Sequence, residues 1–174
     1  MTDPTNDNAA TDDRGEVRTA ELGGLHHDLT IDTTEAERFL ARIDPSPAFC
    51  FRTFADRKTP GASGRNYAGT FASLRQRLIA DNHEGRGIFV VVNAGGQNAA
   101  SIARVRAVFA DLDGAPLDPI IACELQPHVI VESSPSRFHC YWITERLELG
   151  DFKLVQHRIA QMFGSDESVD DLPR

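Results

Sequence analysis

Hydrophobic and polar positions along this 174-residue chain change period several times, and each change predicts an element. Residues 1–28 show no apolar period and are rich in Asp, Asn, Thr, Gly and Ala. Such a stretch cannot bury enough surface to offset ordering entropy, so a disordered tail is expected, followed by one domain over 29–174. The pattern then turns helical. Thr34 and Glu37 have capping-box spacing ahead of Phe39, Leu40 and Ile43, and Pro45 and Pro47 end the helix. "AFCFRTF" (48–54) reads as a strand and "KTPGASGRN" as a loop. "TFASLRQRLIADN" (70–82) places Phe71, Leu74, Leu78 and Ile79 at helical spacing, and Asn82 and Gly85 stop it.

"GIFVVVN" (87–93) is short and wholly apolar, the pattern of a buried central strand. A further strand, roughly 103–111, ends abruptly in Asp111-Leu112-Asp113. "HVIVES" (128–133) and "FHCYWIT" (138–144) alternate as strands, and "SPSR" joins them in a hairpin. "DFKLVQHRIAQMF" (151–163) is amphipathic, with Phe152, Val155, Ile159 and Phe163 facing a core. There is no internal repeat. Intermixed strands and helices with a hairpin predict an α+β fold, a mostly antiparallel sheet with helices packed on one face.

Composition adds bounds. With 41% hydrophobic and 25% charged residues, and no apolar stretch near 18 residues, no membrane-spanning helix is expected. The acidic, polar start is unlike a secretion signal, and Cys50, Cys123 and Cys140 are far apart without a C-x-x-C pair. Free thiols and a cytoplasmic location follow as expectations. The net charge of −8 is uneven: residues 1–35 hold nine acids and two arginines. Residues 52–106 instead carry Arg52, Arg57, Lys58, Arg65, Arg75, Arg77, Arg86, Arg104 and Arg106 against Asp56, Asp81 and Glu84. That local excess suits bidentate phosphate contacts, although a solvated basic surface has the same composition.

Three clusters carry candidate chemistry. On a strand, side chains at i and i+2 share a face, roughly 6–7 Å apart. Asp111 and Asp113 therefore aim two carboxylates at one place, and without a neighbouring base they repel unless a cation sits between them. Hard oxygen ligands suit Mg²⁺ or Mn²⁺. An Asx-turn closing a strand end would use the same residues. In "VIVESSPSRFHCYW", His139, Tyr141 and Ile143 lie on one strand face, and Phe138, Cys140 and Trp142 on the other, which reads as core. His139, Arg137 and the Ser-rich turn form a candidate triphosphate cradle, against the alternative that His139 bonds within the sheet. The third cluster, "MFGSDESVDDLPR", puts Asp166, Asp170 and Asp171 after the last helix.

In this order, "VRAVFADLDGAP", "PHVIVESSPSRFHCYW" and "FGSDESVDDLPR" resemble the archaeo-eukaryotic primase (prim-pol) superfamily, and within it the RepB-like plasmid and phage replication primases. The resemblance spans roughly residues 48–174. It implies an RRM-like palm with two divalent ions, Mg²⁺ or Mn²⁺, and nucleotidyl transfer on a single-stranded DNA template. It further implies nucleoside triphosphates as substrates and often a fused or separate helicase. It assigns Asp111 and Asp113 to the first metal-binding pair, and His139, with Arg137 and Ser133 beside it, to the incoming nucleotide. Asp166, eight residues before Arg174, takes the place of the third carboxylate, with Asp170 and Asp171 as alternatives. The family continues past the position of Arg174 with a basic segment, so a palm truncated at its C-terminal end is expected.

Two rivals stand beside this reading. Haloacid-dehalogenase-like phosphatases also begin with an apolar strand and D-x-D-G, but near the N-terminus and ahead of a Rossmann-like sheet. Here Lys153 is the only lysine after Asp113. A non-catalytic nucleic-acid-binding module of the same fold would use the arginine-rich region. RNA-binding sheets usually expose aromatics for stacking, and here the strand aromatics read as core-bound.

The tail generates a first prediction. Deleting residues 1–28 should leave the thermal midpoint nearly unchanged and strengthen binding to single-stranded DNA at low salt, by removing like-charge repulsion. Thermal denaturation and DNA titration of the truncated chain check both; a large loss of stability would show that the tail packs on the domain.

Overall fold

The computed structural model describes residues 31–56 and 63–173. The expected tail, the basic pair Arg57 and Lys58, and Arg174 lie outside the described residues. The elements run α1 (Thr33–Ile43), β1 (Ala48–Ala55), β2 (Arg65–Thr70), α2 (Phe71–His83), β3 (Arg86–Val91), β4 (Ala94–Gly95), β5 (Ile102–Arg104), β6 (Ala107–Asp113), α3 (Asp118–Ile121), β7 (Val129–Ser134), β8 (Arg137–Ile143) and α4 (Phe152–Phe163). Among the described residues all strand pairs are antiparallel, in sheets ordered β2-β1-β3, β4-β5 and β6-β8-β7. The α+β, mostly antiparallel class read from the sequence is the observed one. A parallel Rossmann-like sheet is absent among the described residues, which removes the phosphatase reading.

Several local expectations change. The cap of α1 is Asp32, whose carboxylate accepts the Thr34 N–H at 2.8 Å; Thr34 itself lies inside the helix. Strand β2 was hidden in what reads as loop, because "RNYAGT" has neither alternation nor apolar content. It pairs with β1 all the same. The apolar run at 87–93 is not a central strand: β1 is central and β3 is its edge neighbour. Its hydrophobicity is divided between core contacts and an open face, where Phe89 is 55% exposed. The four-residue α3 carries no periodic signal and was not anticipated.

Strand β6 is the edge of its sheet, and α4 completes it. Gln156, buried among the apolar residues of α4, donates to the Phe109 carbonyl and accepts the Phe109 N–H at 3.2 Å. One side-chain amide thus satisfies an edge that a strand would otherwise satisfy. On the far face, Trp142 stacks on Phe163 of α4, with centroids 5.6 Å apart and planes 9° from parallel. Gly164 ends α4 in a left-handed conformation (φ 63°), which a residue without Cβ adopts at little cost.

The arginines of 52–106 are mostly framework. Arg86 is buried and donates to Thr53 Oγ1 at 3.0 Å and to the Thr53 and Ser63 carbonyls, both at 2.9 Å. Arg65 pairs with buried Asp81, which also accepts from Thr53 Oγ1 (2.8 Å) and Tyr67 Oη (2.9 Å). Arg75 meets Glu37 at 3.5 Å, and Arg77 lies over the Tyr67 ring. Arg106 is buried; it reaches Asp44 at 2.6 Å and the Ala48 carbonyl at 2.8 Å, with its guanidinium over the Phe49 ring at 4.3 Å. Arg104 joins it on Asp44 at 2.5 Å. A phosphate-facing role for this stretch as a whole is therefore corrected: carboxylates, carbonyls and rings of the protein already occupy these guanidiniums.

Asp44 turns this into a measurable claim. Burial works against its charge, but the Ser46 N–H and the guanidiniums of Arg106 and Arg104 outweigh it and hold the carboxyl below its ordinary value of 3.8. Replacing it leaves Arg106 buried without a counter-charge, so Asp44→Ala should cost about 3–5 kcal/mol in urea or thermal unfolding. Because the folded pKa is depressed, the wild-type contribution is full above the unfolded value. It is lost as pH falls through the folded one, so the unfolding midpoint should drop below about pH 4, and less so in Asp44→Ala.

Candidate active site

The β6–β8 register sets Asp111 opposite His139 and Asp113 opposite Arg137. Directly paired residues project from the same face, so all four side chains share it, as the i, i+2 spacing predicts. His139 Nε2 lies 3.4 Å from Asp111 Oδ1, and Arg137 Nη1 lies 2.5 Å from Asp113 Oδ1. The expectation of two carboxylates unmatched by a base is thereby corrected: the hairpin register gives each a basic neighbour. The turn is held locally, with Ser136 at φ 63°, its N–H donating to Glu132 Oε1 at 3.1 Å, and Ser133 Oγ donating to the Arg137 carbonyl at 3.3 Å.

The same face is closed at one end and open at the other. Phe39 of α1 meets the Tyr141 ring edge-on at 5.4 Å, and Phe109 lies 6.0 Å from it. Tyr141 is therefore buried, and burial, then the Asp111 charge, push its phenol well above the usual range. One pair further along, the Asp111 and His139 side chains keep 29% and 39% of their exposure and are open to a ligand. On the opposite face, burial pushes the Cys140 thiol up to about 11, which leaves it an unreactive core residue.

A cleft of about 1270 Å³ begins here. Asp111, His139, Ser133 and Tyr141 line it from the β6-β8-β7 sheet, Arg52, Phe54 and Phe89 from the β2-β1-β3 sheet, and Arg38 and Arg42 from α1. The segment after α4 borders it as well. The Asp166 N–H donates to the Asp111 carbonyl at 3.2 Å, so this segment runs along the β6 edge. The Asp166 carboxylate accepts the Ser168 N–H at 2.8 Å. Asp170 turns away to α4, where Lys153 (2.8 Å) and His157 (2.7 Å), in that order of effect, hold its carboxyl below the usual range. Asp171 lines the cleft together with Asp111. Among the described residues no three His, Cys, Asp or Glu side chains form a cluster that would hold a metal ion.

Residues 96–174 match the family model of the RepB DNA-primase N-terminal domain. Over these residues the chain is similar to RepB-like primases. Its fold is similar to that of the primase-polymerase AEP domain of cyanophage S-2L, with a TM-score of 0.68 and 20% identity over 82% of this chain and 79% of that one. It is similar to primase RepB′ as well (TM-score 0.62, 16% identity), covering 80% of this chain and 47% of that one. A third similar structure is the catalytic domain of primase RepB′ in complex with initiator DNA (TM-score 0.60, 13% identity, 80% and 72% covered). The chain spans about half the length of the longer RepB′ chain. No curated protein matches it.

Sequence reasoning about this domain missed Arg38 and Arg42, because the count of bases began at residue 52. It also missed Gln156 and Asn93, although a polar residue inside an apolar stripe is a signal of a buried bonding role. Phe54 and Phe89, expected in the core, are 47% and 55% exposed on the cleft.

Because both members of the Asp111–His139 pair are partly exposed, their attraction is largely screened. His139→Ala should therefore cost less than about 1 kcal/mol in thermal unfolding. A loss of several kcal/mol would instead make His139 a framework residue of the sheet.

Proposed function

We propose that this domain is the catalytic domain of a DNA primase-polymerase, joining nucleotides on a single-stranded DNA template during plasmid or phage replication. The observation that carries the reading is the Asp111–His139 cross-strand pair on an open sheet face bordering a large cleft, inside a primase-polymerase fold. Structural similarity to a RepB′ catalytic domain in complex with initiator DNA supports DNA as the partner. The substrates are a template strand and nucleoside triphosphates, and a fused or separate replicative helicase is the expected partner, all in the cytoplasm.

The donor chemistry at the strand end fits a hard divalent cation: Asp111 and Asp113 offer carboxylate oxygens on one face, and either Asp166 or Asp171 the third. Of these two, Asp171 shares the cleft with Asp111, whereas Asp166 contacts Asp111 through its backbone. Two Mg²⁺ or Mn²⁺ ions held there would neutralise phosphate charge and polarise the attacking hydroxyl. The remaining roles fall to the chain itself. His139 and Arg137 donate to the triphosphate oxygens, Ser133 adds a hydroxyl at the turn, and the cleft orients the strand. In the reaction a 3′-hydroxyl gives up its proton to solvent and attacks the α-phosphorus; the new O–P bond forms as the bond from that phosphorus to the α,β-bridging oxygen breaks, and pyrophosphate leaves.

One observation favours a second reading. Each carboxylate already has a basic partner, and no three-ligand cluster exists among the described residues. A binding module of the same fold would need neither metal nor turnover.

Template-directed incorporation with Mg²⁺ or Mn²⁺ separates the two. Asp111→Ala and Asp113→Ala should each lower incorporation at least about a hundredfold while DNA binding persists. His139→Ala should raise the apparent KM for nucleotide with a nearly unchanged thermal midpoint. Comparing Asp166→Ala with Asp171→Ala assigns the third carboxylate. Full DNA binding without incorporation by the wild-type chain would leave the module.

A further inference from the structure

Two exposed aromatic rings stand in the cleft on a different sheet from the carboxylates. Phe54 on β1 and Phe89 on β3 are 47% and 55% exposed, and their centroids are 5.7 Å apart at an interplanar angle of 60°. The β1–β3 register explains why they are together. Arg52 lies opposite Phe89 and Phe54 opposite Gly87, so Arg52, Phe54 and Phe89 share one sheet face. Further along that face, Cys50 and Val91 are buried with Ile102, and Leu172 packs against them. The face thus passes from a covered apolar end to open aromatics.

Glycines keep the rings low on the sheet. A Cβ on Gly87 would come within 3.0 Å of the Phe89 ring, and one on Gly64 within 2.8 Å of the Phe54 ring. Each ring therefore occupies space that a neighbouring side chain would fill. A pair of large apolar side chains at this exposure is costly in water unless something covers it.

The surroundings identify what would. Arg52 is held in place by Gln97, with Nε on Oε1 at 2.9 Å and Nη2 on the main-chain carbonyl; its Nη1 has no partner among the described residues, and the side chain lines the cleft beside the rings. Arg38 and Arg42 line it from α1; Arg38 has an exposed pair with Glu35 at 2.8 Å, and Arg42 has no ion pair among the described residues. π-faces flanked by guanidiniums are the combination that holds single-stranded nucleic acid, with bases on rings and phosphates on arginines. Three guanidiniums beside two rings match a ligand that carries regularly spaced negative charges and flat bases, which a single nucleic-acid strand supplies. We propose that Phe54 and Phe89 form a base-stacking platform for the single-stranded DNA strand, with Arg38, Arg42 and Arg52 receiving its phosphates. Identifying that strand as a template rests on the primase reading, but the stacking itself does not.

The test is binding of a short fluorescein-labelled oligothymidylate to the full chain in EDTA, followed by anisotropy, with template-directed incorporation in Mg²⁺ run in parallel. Phe54→Ala and Phe89→Ala should each weaken binding about tenfold or more, with little change in thermal midpoint because the rings are half exposed. Phe89→Leu should weaken it too, since it keeps apolar area and loses the π-face, while Phe89→Trp should retain it. Arg42→Ala should lower affinity and flatten its salt dependence. Unchanged DNA affinity in Phe54→Ala and Phe89→Leu overturns the platform. So does a fall in self-association by sedimentation with DNA affinity unchanged, which would give the face to a second copy of the chain. Ring-dependent binding in EDTA without incorporation by the wild-type chain would sink the primase reading and leave the platform standing. Incorporation with ring-independent binding would do the opposite.

Discussion

A guanidinium cut off from water must find acceptors inside the protein, and where Arg106 finds them decides how the two main sheets meet. Its side chain reaches Asp44 after α1, the Ala48 carbonyl at the start of β1, the Val92 carbonyl after β3 and the Phe49 ring. Its backbone N–H donates to Asn93 Oδ1 at 2.9 Å, and its carbonyl accepts the Thr144 N–H at 2.9 Å. One residue therefore ties the ends of one sheet to the first turn of the other, immediately before β6. Since β6 is the strand that ends in Asp111 and Asp113, an error in this node would move the carboxylates relative to the far wall of the cleft.

Asn93 and Gln156 extend the same constraint to the C-terminal segment. Asn93 accepts from the backbone at the start of β6 and donates through Nδ2 to the Leu172 carbonyl at 2.9 Å. Gln156 pairs the edge of β6 to α4, and the Asp166 N–H continues along that edge to Asp111. Buried amides of this kind are directional, because leaving one of their groups unpaired costs more than a misplaced methyl group. Together they route residues 164–173 back beside the cleft. That is how a motif more than fifty residues after Asp111 in sequence comes to border it.

Where one residue type meets one physical demand, the sequence was legible. Alternation in "FHCYWIT" placed His139 opposite the Trp142 face, and D-x-D at a strand end placed both aspartates on one side. What stayed hidden depends on partners distant in the chain. Arginine density over 52–106 could not distinguish phosphate-facing guanidiniums from Arg86 and Arg106, whose acceptors are carbonyls and carboxylates of the protein. The apolar run of β3 could not show that one of its sides is uncovered, because burial is a property of what packs on a strand. Nor could the D-x-D motif reveal that the hairpin register would bring Arg137 and His139 to those carboxylates.

These contrasts sort the ion pairs by what they can do. Asp44–Arg106 is buried, and breaking it leaves a stranded charge, so it is fixed for the life of the fold. Asp113–Arg137 has side-chain exposures of 60% and 59%, and a pair so open to water contributes only about 0–1 kcal/mol. Such a pair positions both groups and yields readily to a stronger partner. On the proposed reading, divalent cations and triphosphate arriving together would supply that exchange, carboxylates turning to the cations and basic side chains to the phosphates. The strong electrostatics therefore sit in the framework, and the weak, exchangeable pairs sit where a ligand must replace them. A site with the opposite arrangement would hold its shape but resist its substrate.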